Sequence, residues 1–222
     1  MTTPPITSLP TELPTPLSTA MREGSAVQHQ AAEGSSFMAE LLDGRVNEAG
    51  YAAYLLRLRP VYAALEEVGR AHAHDPLVAA VHDPALERLA AIDADLAHWA
   101  PDAGREVDSP AAAAYAERVR ASASWGGHYL AHHYTRYLGD LSGGQAIGRI
   151  LDRTFGLDGA GTAFYDFPAV PKPYKDAYRA RLDALGLGRD EVAGVVAEVQ
   201  VAFGLNQALF EELGRSLPDF RR

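Results

Sequence analysis

An acidic residue set among glycines, and an imidazole followed one turn later by a carboxylate, are the features of this chain whose spacing suggests chemistry. Asp140 lies in the stretch 134–150 together with Gly139, Gly143, Gly144 and Gly148. Apolar residues at Leu130, Tyr134, Tyr137, Leu138, Leu141, Ile147, Ile150 and Leu151 keep a helical period across it. Four glycines inside one helix cost about 3–4 kcal/mol relative to alanine. At ~100° per residue they fall on one half of the circumference, with Asp140 in the middle of that half. A helix bare on that half lets a flat, bulky group approach its backbone, with one ionisable group beside it. A small-residue helix crossing, or a break at Gly143-Gly144, explains the same glycines.

His29 has Glu33 four residues on, along the same face. A carboxylate there receives one ring N–H, fixes the tautomer and makes the other nitrogen a better metal donor; a solvated helix pair is the plainer reading. His128, His132 and His133 include an i,i+4 pair but lack the adjacent Glu of a metalloprotease motif. Asp95 and His98 stand alone where a di-iron bundle needs paired motifs. Both sets read as structural. Of 20 basic residues only Lys172 and Lys175 are lysine, and Lys175 shares a helix face with Arg179.

His-His-Tyr-Thr-Arg-Tyr-Leu-Gly-Asp-Leu-Ser-Gly-Gly-Gln (132–145) resembles the signature of heme oxygenases, in which this helix covers the distal side of the heme. Gln28-His-Gln-Ala-Ala-Glu-Gly-Ser-Ser-Phe-Met38, followed by Leu41-Leu42, is similar to the family's proximal-helix motif, and Tyr174-Lys-Asp-Ala-Tyr-Arg179 to its propionate-binding helix. The resemblance runs over about residues 21–215 in the family's order. Departures are Arg22, where relatives often have lysine, Gln30, Gly34 and a long N-terminal arm.

The resemblance implies that heme b is both substrate and cofactor, with His29 as axial iron ligand and Glu33 as its partner. It implies propionate contacts from Arg22, Tyr134, Lys175 and Arg179, and heme contacts from Ser142 and Gly144. Asp140 would hold a proton-delivering water network, with Arg136, Tyr62 and Asn206 at its other positions. Gly139 and Gly143 would leave room above the ring, and Phe203 and Phe210 would wall the pocket. The implied reaction opens heme to biliverdin, ferrous iron and carbon monoxide, using dioxygen. Its electrons come from an external reductase or ferredoxin, since the chain has neither a Rossmann fingerprint nor cysteines for an iron–sulfur cluster. The alternatives are a non-catalytic heme carrier or sensor, which needs no acceptor at Asp140, and an all-α protein of related shape that binds no heme.

The elements that must position these groups read as helices, and the fold class is all-α, one multi-helix domain around a single core. Residues 1–17 are expected to be a disordered Pro/Thr arm, 18–215 the domain and 216–222 a tail. Helices are expected from Ser18-Thr19 to about Glu33, from Phe37 to Leu42, and from Asn47 to about Arg70 with a kink at Pro60. Others should run from Asp83-Pro84 to about Trp99 and from Ser109-Pro110 through Val119. The glycine-rich helix follows from about Trp125 to Phe155, then a loop to Val170, and helices over 173–185 and 190–213.

The 222 residues suffice for a substantial core, and 47% hydrophobic content is ordinary. A net charge of −9 argues against nucleic acid as a partner. Apolar runs look shorter than the ~20 residues that span a bilayer, and the proline-rich N-terminus is no secretory signal. With no cysteine in the chain, the expectation is a cytoplasmic protein without a membrane anchor.

Overall fold

The computed structural model describes residues 15–222. The arm expected over 1–17 falls outside the described residues up to 14, while Leu17 is already buried as the first residue of a helix. The expected first helix is in fact two, α1 (Leu17–Gly24) and α2 (Ala26–Glu33). The break falls at Ser25, whose hydroxyl donates back to the Met21 carbonyl at 2.7 Å, an alternative to continued helical bonding. Helix α3 (Ser36–Leu42) follows.

Helix α4 (Glu48–Ala71) begins where the Asn47 side chain accepts the Gly50 N–H at 2.9 Å, and it continues through Pro60. It buries Tyr51, Tyr54, Leu55, Leu58, Val61, Tyr62 and Leu65. The short α5 (Pro76–Ala79), capped by Asp75, was not foreseen. Asp83 does cap a segment, but only a 3-10 turn, Pro84–Leu86. The helix expected through to Trp99 starts afresh as α6 (Leu89–Trp99). Glu66 on α4 causes this by accepting the N–H groups of both Arg88 and Leu89 at 2.7 Å. The Arg88 guanidinium meanwhile donates to the carbonyls of Ala85, Leu86 and Glu87. Helix α7 (Pro110–Ala121) starts as expected, with Ser109 accepting the Ala112 N–H.

The glycine-rich stretch is helical from Gly126 but not α-helical throughout. Between α8 (Gly126–His133) and α9 (Gln145–Phe155) lie two π-helical segments, Tyr134–Leu138 and Asp140–Gly144. Each π turn carries an extra residue against ideal α geometry, a feature concentrated at functional sites. Gly156, at φ +66°, closes α9. The expected loop to Val170 contains one 3-10 turn, Ala163–Tyr165, and then α10 (Pro171–Asp183), α11 (Arg189–Arg215) and α12 (Leu217–Phe220) complete the chain.

The core forms where α4 packs on α6, α7 and α8, and where α11 packs on α1, α2, α3, α7 and α8. Among the described residues there is no strand, only an isolated antiparallel bridge between Val46 and Arg221. That bridge belongs to the segment 216–222, which is docked rather than a free tail. Arg221 donates to Glu40 at 2.9 Å, and Phe220 covers Gly50 so closely that a Cβ there would stand 2.8 Å from it. Helix α11 departs from the expected shortness of apolar runs, being long and apolar enough by composition to cross a bilayer. Here it is a core helix, with buried Val195, Val199, Ala202 and Leu209 and a buried charge, Glu198.

Candidate active site

Helices α2, α11 and the π-helical stretch surround a cleft of about 510 Å³. His29, on α2, stands at one side. Its Nδ1 lies 3.5 Å from the Glu33 carboxylate, and its ring meets Phe203 edge-on with centroids 5.2 Å apart. The Glu33 contact engages Nδ1, so Nε2 is the nitrogen left for a metal. The His29 side chain is 51% exposed, so the cleft gives it access that a core histidine lacks.

The other side is the π-helical stretch, and here the four glycines separate. Gly139 and Gly143 line the cleft, and a Cβ built on either would meet nothing within 4 Å. Gly144 and Gly148 pack against Tyr165, where an added Cβ would stand 3.0 Å from the ring at Gly144 and 3.0 Å from the Tyr165 Cβ at Gly148. Ligand approach thus explains one edge of the glycine half and close packing explains the other. Gly144 still borders the cleft, as expected, but its missing side chain makes room for Tyr165.

Asp140 lies between these edges, buried and bordering the cleft. Tyr62 donates its hydroxyl to Asp140 Oδ2 in a short hydrogen bond. Arg136 donates from Nη2 to Asp140 Oδ1 at 3.3 Å and to the Tyr62 hydroxyl at 3.0 Å. Its Nη1 is held by Asn206 Oδ1 at 2.7 Å. Burial pushes the Asp140 carboxyl above the usual carboxylate range, opposed by the Arg136 charge and the Tyr62 hydrogen bond. Burial also works against the Arg136 charge, but Tyr62 and Asp140 outweigh it and hold the guanidinium protonated. The result is an anchored carboxylate at the edge of the cleft. Tyr62 itself does not reach the cleft. It stands behind Asp140, bonded to Asp140 and Arg136 as a member of the expected network.

At the mouth stand Arg22, Arg179 and Tyr134. Arg22 and Arg179 pair only with exposed neighbours, Glu23 and Asp176, both at 3.2 Å. Lys175 does not border the cleft; it donates to the Ser142 hydroxyl at 2.9 Å, tying α10 to the distal turn. Phe203, Phe210 and Asn206 line the cleft as expected. Tyr54 and Met38 line it too and were missed. Their only signal was the apolar period of α3 and α4, which fits plain core packing as well.

Two of the histidines read as structural, His132 and His133, are buried and bonded within the core. His132 Nε2 bonds Glu198 at 2.8 Å, His133 Nδ1 bonds the Tyr178 hydroxyl at 2.9 Å, and Asp95 accepts the N–H groups of Ala163 and Phe164. Among the described residues no cluster of three or more His, Asp or Glu could hold a metal ion.

Against known families, the heme oxygenase family model matches residues 15–212. The chain belongs to the heme oxygenase family. It is 37% identical over 209 residues to heme oxygenase 1 of Nostoc sp., covering 90% of this chain and 87% of that one. Heme oxygenase-2 of Synechocystis sp., solved with heme and NO, superposes with a TM-score of 0.87 at 31% identity, covering 92% of this chain and 88% of that one. Heme oxygenase-1 of the same organism, solved with heme, gives 0.86 at 33% identity, covering 92% and 95%. As a heme oxygenase, the enzyme cleaves heme oxidatively to biliverdin with release of ferrous iron and carbon monoxide. The cleft between α2 and the glycine-bearing π turns is bordered by residues of both motif segments.

Proposed function

We propose that this enzyme takes heme b into the cleft, where His29 Nε2 would hold its iron. One observation carries the reading: a single cleft is bordered by an accessible imidazole and by the open backbone of Gly139 and Gly143. The residues fit the group. The two glycines leave free the space a side chain would fill, Phe203 and Phe210 supply apolar walls, and Arg22, Arg179 and Tyr134 offer donors for two carboxylates at the mouth. Lys175 serves by holding Ser142, and reaches a propionate only if that bond is exchanged.

Bound heme supplies both the iron at which dioxygen is activated and the meso carbon that is oxidised. Around it, Glu33 polarises the His29 imidazole. Asp140 accepts from ordered water and so fixes a proton source above the ring. Arg136 and Tyr62 hold that carboxylate in place, and Asn206 holds Arg136. Phe203 and Phe210 exclude bulk water. A non-catalytic carrier would have no use for this anchored acceptor.

Electrons come from an external reductase or ferredoxin. The cationic surface of α10 near the mouth is the docking site we favour. It is smaller than the four basic residues of its sequence suggest, because the Arg181 guanidinium bonds the Ala80 carbonyl and lies over the Tyr174 and Tyr178 rings. A cytoplasmic location, where such donors are held reduced, completes the proposal. The test is to add hemin, a reductant and oxygen to the purified protein. Decay of the Soret band into a bile-pigment spectrum is expected; a stable Soret band would leave a carrier, and no Soret complex would remove heme altogether.

A further inference from the structure

A second cleft, of about 340 Å³, shares no lining residue with the main one. It is bordered by Glu48 at the start of α4, His98 and Trp99 at the end of α6, and Phe155, Gly156 and Leu157 where α9 stops. Its three rings stand steeply to one another. Trp99 meets Phe155 with centroids 5.0 Å apart at 76°, and His98 at 5.1 Å and 85°. The indole is held in place, since its Nε1 donates to the Gly161 carbonyl at 2.6 Å and the Tyr51 ring packs against it edge-on at 5.2 Å. Gly161 takes φ +74°, and a Cβ there would stand 2.5 Å from His98 and 2.7 Å from Trp99.

The charges around this cleft favour a cation. Helices α6 and α9 both end at it, and the last carbonyls of a helix carry partial negative charge. The end of α9 already draws a guanidinium. Arg222, which does not border the cleft, donates to the Thr154 carbonyl at 3.1 Å and lies 4.6 Å from the Phe155 ring centroid. Just beyond α6, Arg105 donates to the Ala100 carbonyl at 3.3 Å. Glu48 adds a full negative charge from the first turn of α4. Among the described residues no lysine or arginine borders the cleft to neutralise it.

We propose that this cleft is a binding site for a small organic ammonium cation, held against the Trp99 and Phe155 rings with its charge toward Glu48 and the ends of α6 and α9. Aromatic faces attract such a cation within about 6 Å, more strongly as water is displaced. The alkyl groups of the cation cover the rings, while the carboxylate and the helix ends select its charge. The volume is at the low end of small-molecule sites, which run from about 300 to 1,000 Å³, so the occupant is a small molecule rather than a helix or strand of a partner.

The site is independent of the heme reading, and its test uses the full chain without heme. Choline serves as the probe, titrated while the indole N–H resonances of isotope-labelled protein are followed by NMR. The chain has two tryptophans, so Trp125 is an internal control. The Trp99 resonance should move and saturate while that of Trp125 stays still. Dimethylbutanol, the uncharged carbon isostere of choline, should bind about tenfold more weakly, because only the cation gains from the rings and the carboxylate. Glu48→Gln alters an exposed side chain and should leave the fold intact. It should weaken choline about fivefold, the scale of one exposed charge pair. A Trp99 resonance that does not saturate, or equal affinity for the alcohol, overturns the proposal. So does a Glu48→Gln protein that binds choline as tightly as the wild type.

Discussion

Arg136 reaches Asp140 at 3.3 Å, one turn along the same π-helical stretch, with both side chains buried and Tyr62 bonded to the two of them. Breaking such a pair costs more than its net contribution, because one buried charge is left without its partner. Arg136→Ala strips Asp140, Tyr62 and Asn206 together and should lower the unfolding free energy by ~3–5 kcal/mol. Urea denaturation measures it.

Asp140→Ala tests the chemistry. Hemin should bind with an ordinary Soret band, because no proposed heme contact is lost. Biliverdin yield should fall by about 10²-fold or more, the scale on which a positioned proton donor acts, with oxygen diverted to peroxidase-like turnover of an added phenol. A normal yield would take Asp140 out of the mechanism.

His29→Ala should leave the fold unchanged, since its ring is half exposed and its Glu33 contact is a surface pair worth ~0–1 kcal/mol. The hemin complex should lose its imidazole-ligated spectrum, and added imidazole should restore it. An unaltered spectrum would move the iron ligand elsewhere.

The glycines should respond in opposite ways. Gly139→Ala meets nothing within 4 Å and should stabilise the heme-free protein by about 0.5–1 kcal/mol, while Gly139→Leu should fill the cleft and impair hemin turnover. Gly148→Val collides with Tyr165 and should cost about 1–3 kcal/mol by overpacking, with the cleft left open. Paired melting curves and hemin titrations separate the two classes.

Acid should destabilise the protein in two stages. Burial lowers the pKa of His132 and lowers that of His133 well below its usual value, so the unfolded chain binds these protons and the folded one resists them. Stability is full above the unfolded histidine value of ~6.5 and is lost as pH falls through it. Glu198 adds a second stage. Burial would raise it, but hydrogen bonds from His132 and Arg118 bring it down to about 2. Its contribution is lost as pH falls from the ordinary carboxylate value of 4.5 toward that point. Thermal melts between neutral pH and pH 3 should show both slopes, and Glu198→Gln should flatten the second.

Charge reversal at Lys172 should raise KM for a ferredoxin-type donor and flatten its salt dependence, while hemin affinity stays the same. Lys172 pairs only with Asp176, so no core contact is disturbed. Steady-state turnover with a natural donor and with a small-molecule reductant distinguishes docking from chemistry.

The sequence alone determined the helical class, the caps at Asn47 and Ser109, the pairing of His29 with Glu33 and the family, through its ordered motif segments. Those features depend on residues within about one helical turn, where side-chain spacing and backbone hydrogen bonding are local. Tertiary structure decided that His29 and Gly139 border one cleft, and that Glu66 on α4 ends one helical segment and starts α6. It also decided that Tyr62 lies behind Asp140 across 78 residues of chain. It sorted the glycines as well, since Tyr165 comes from a loop with no periodic signal to place it. Such relations depend on how helices cross, and burial forces that crossing only when the whole core assembles.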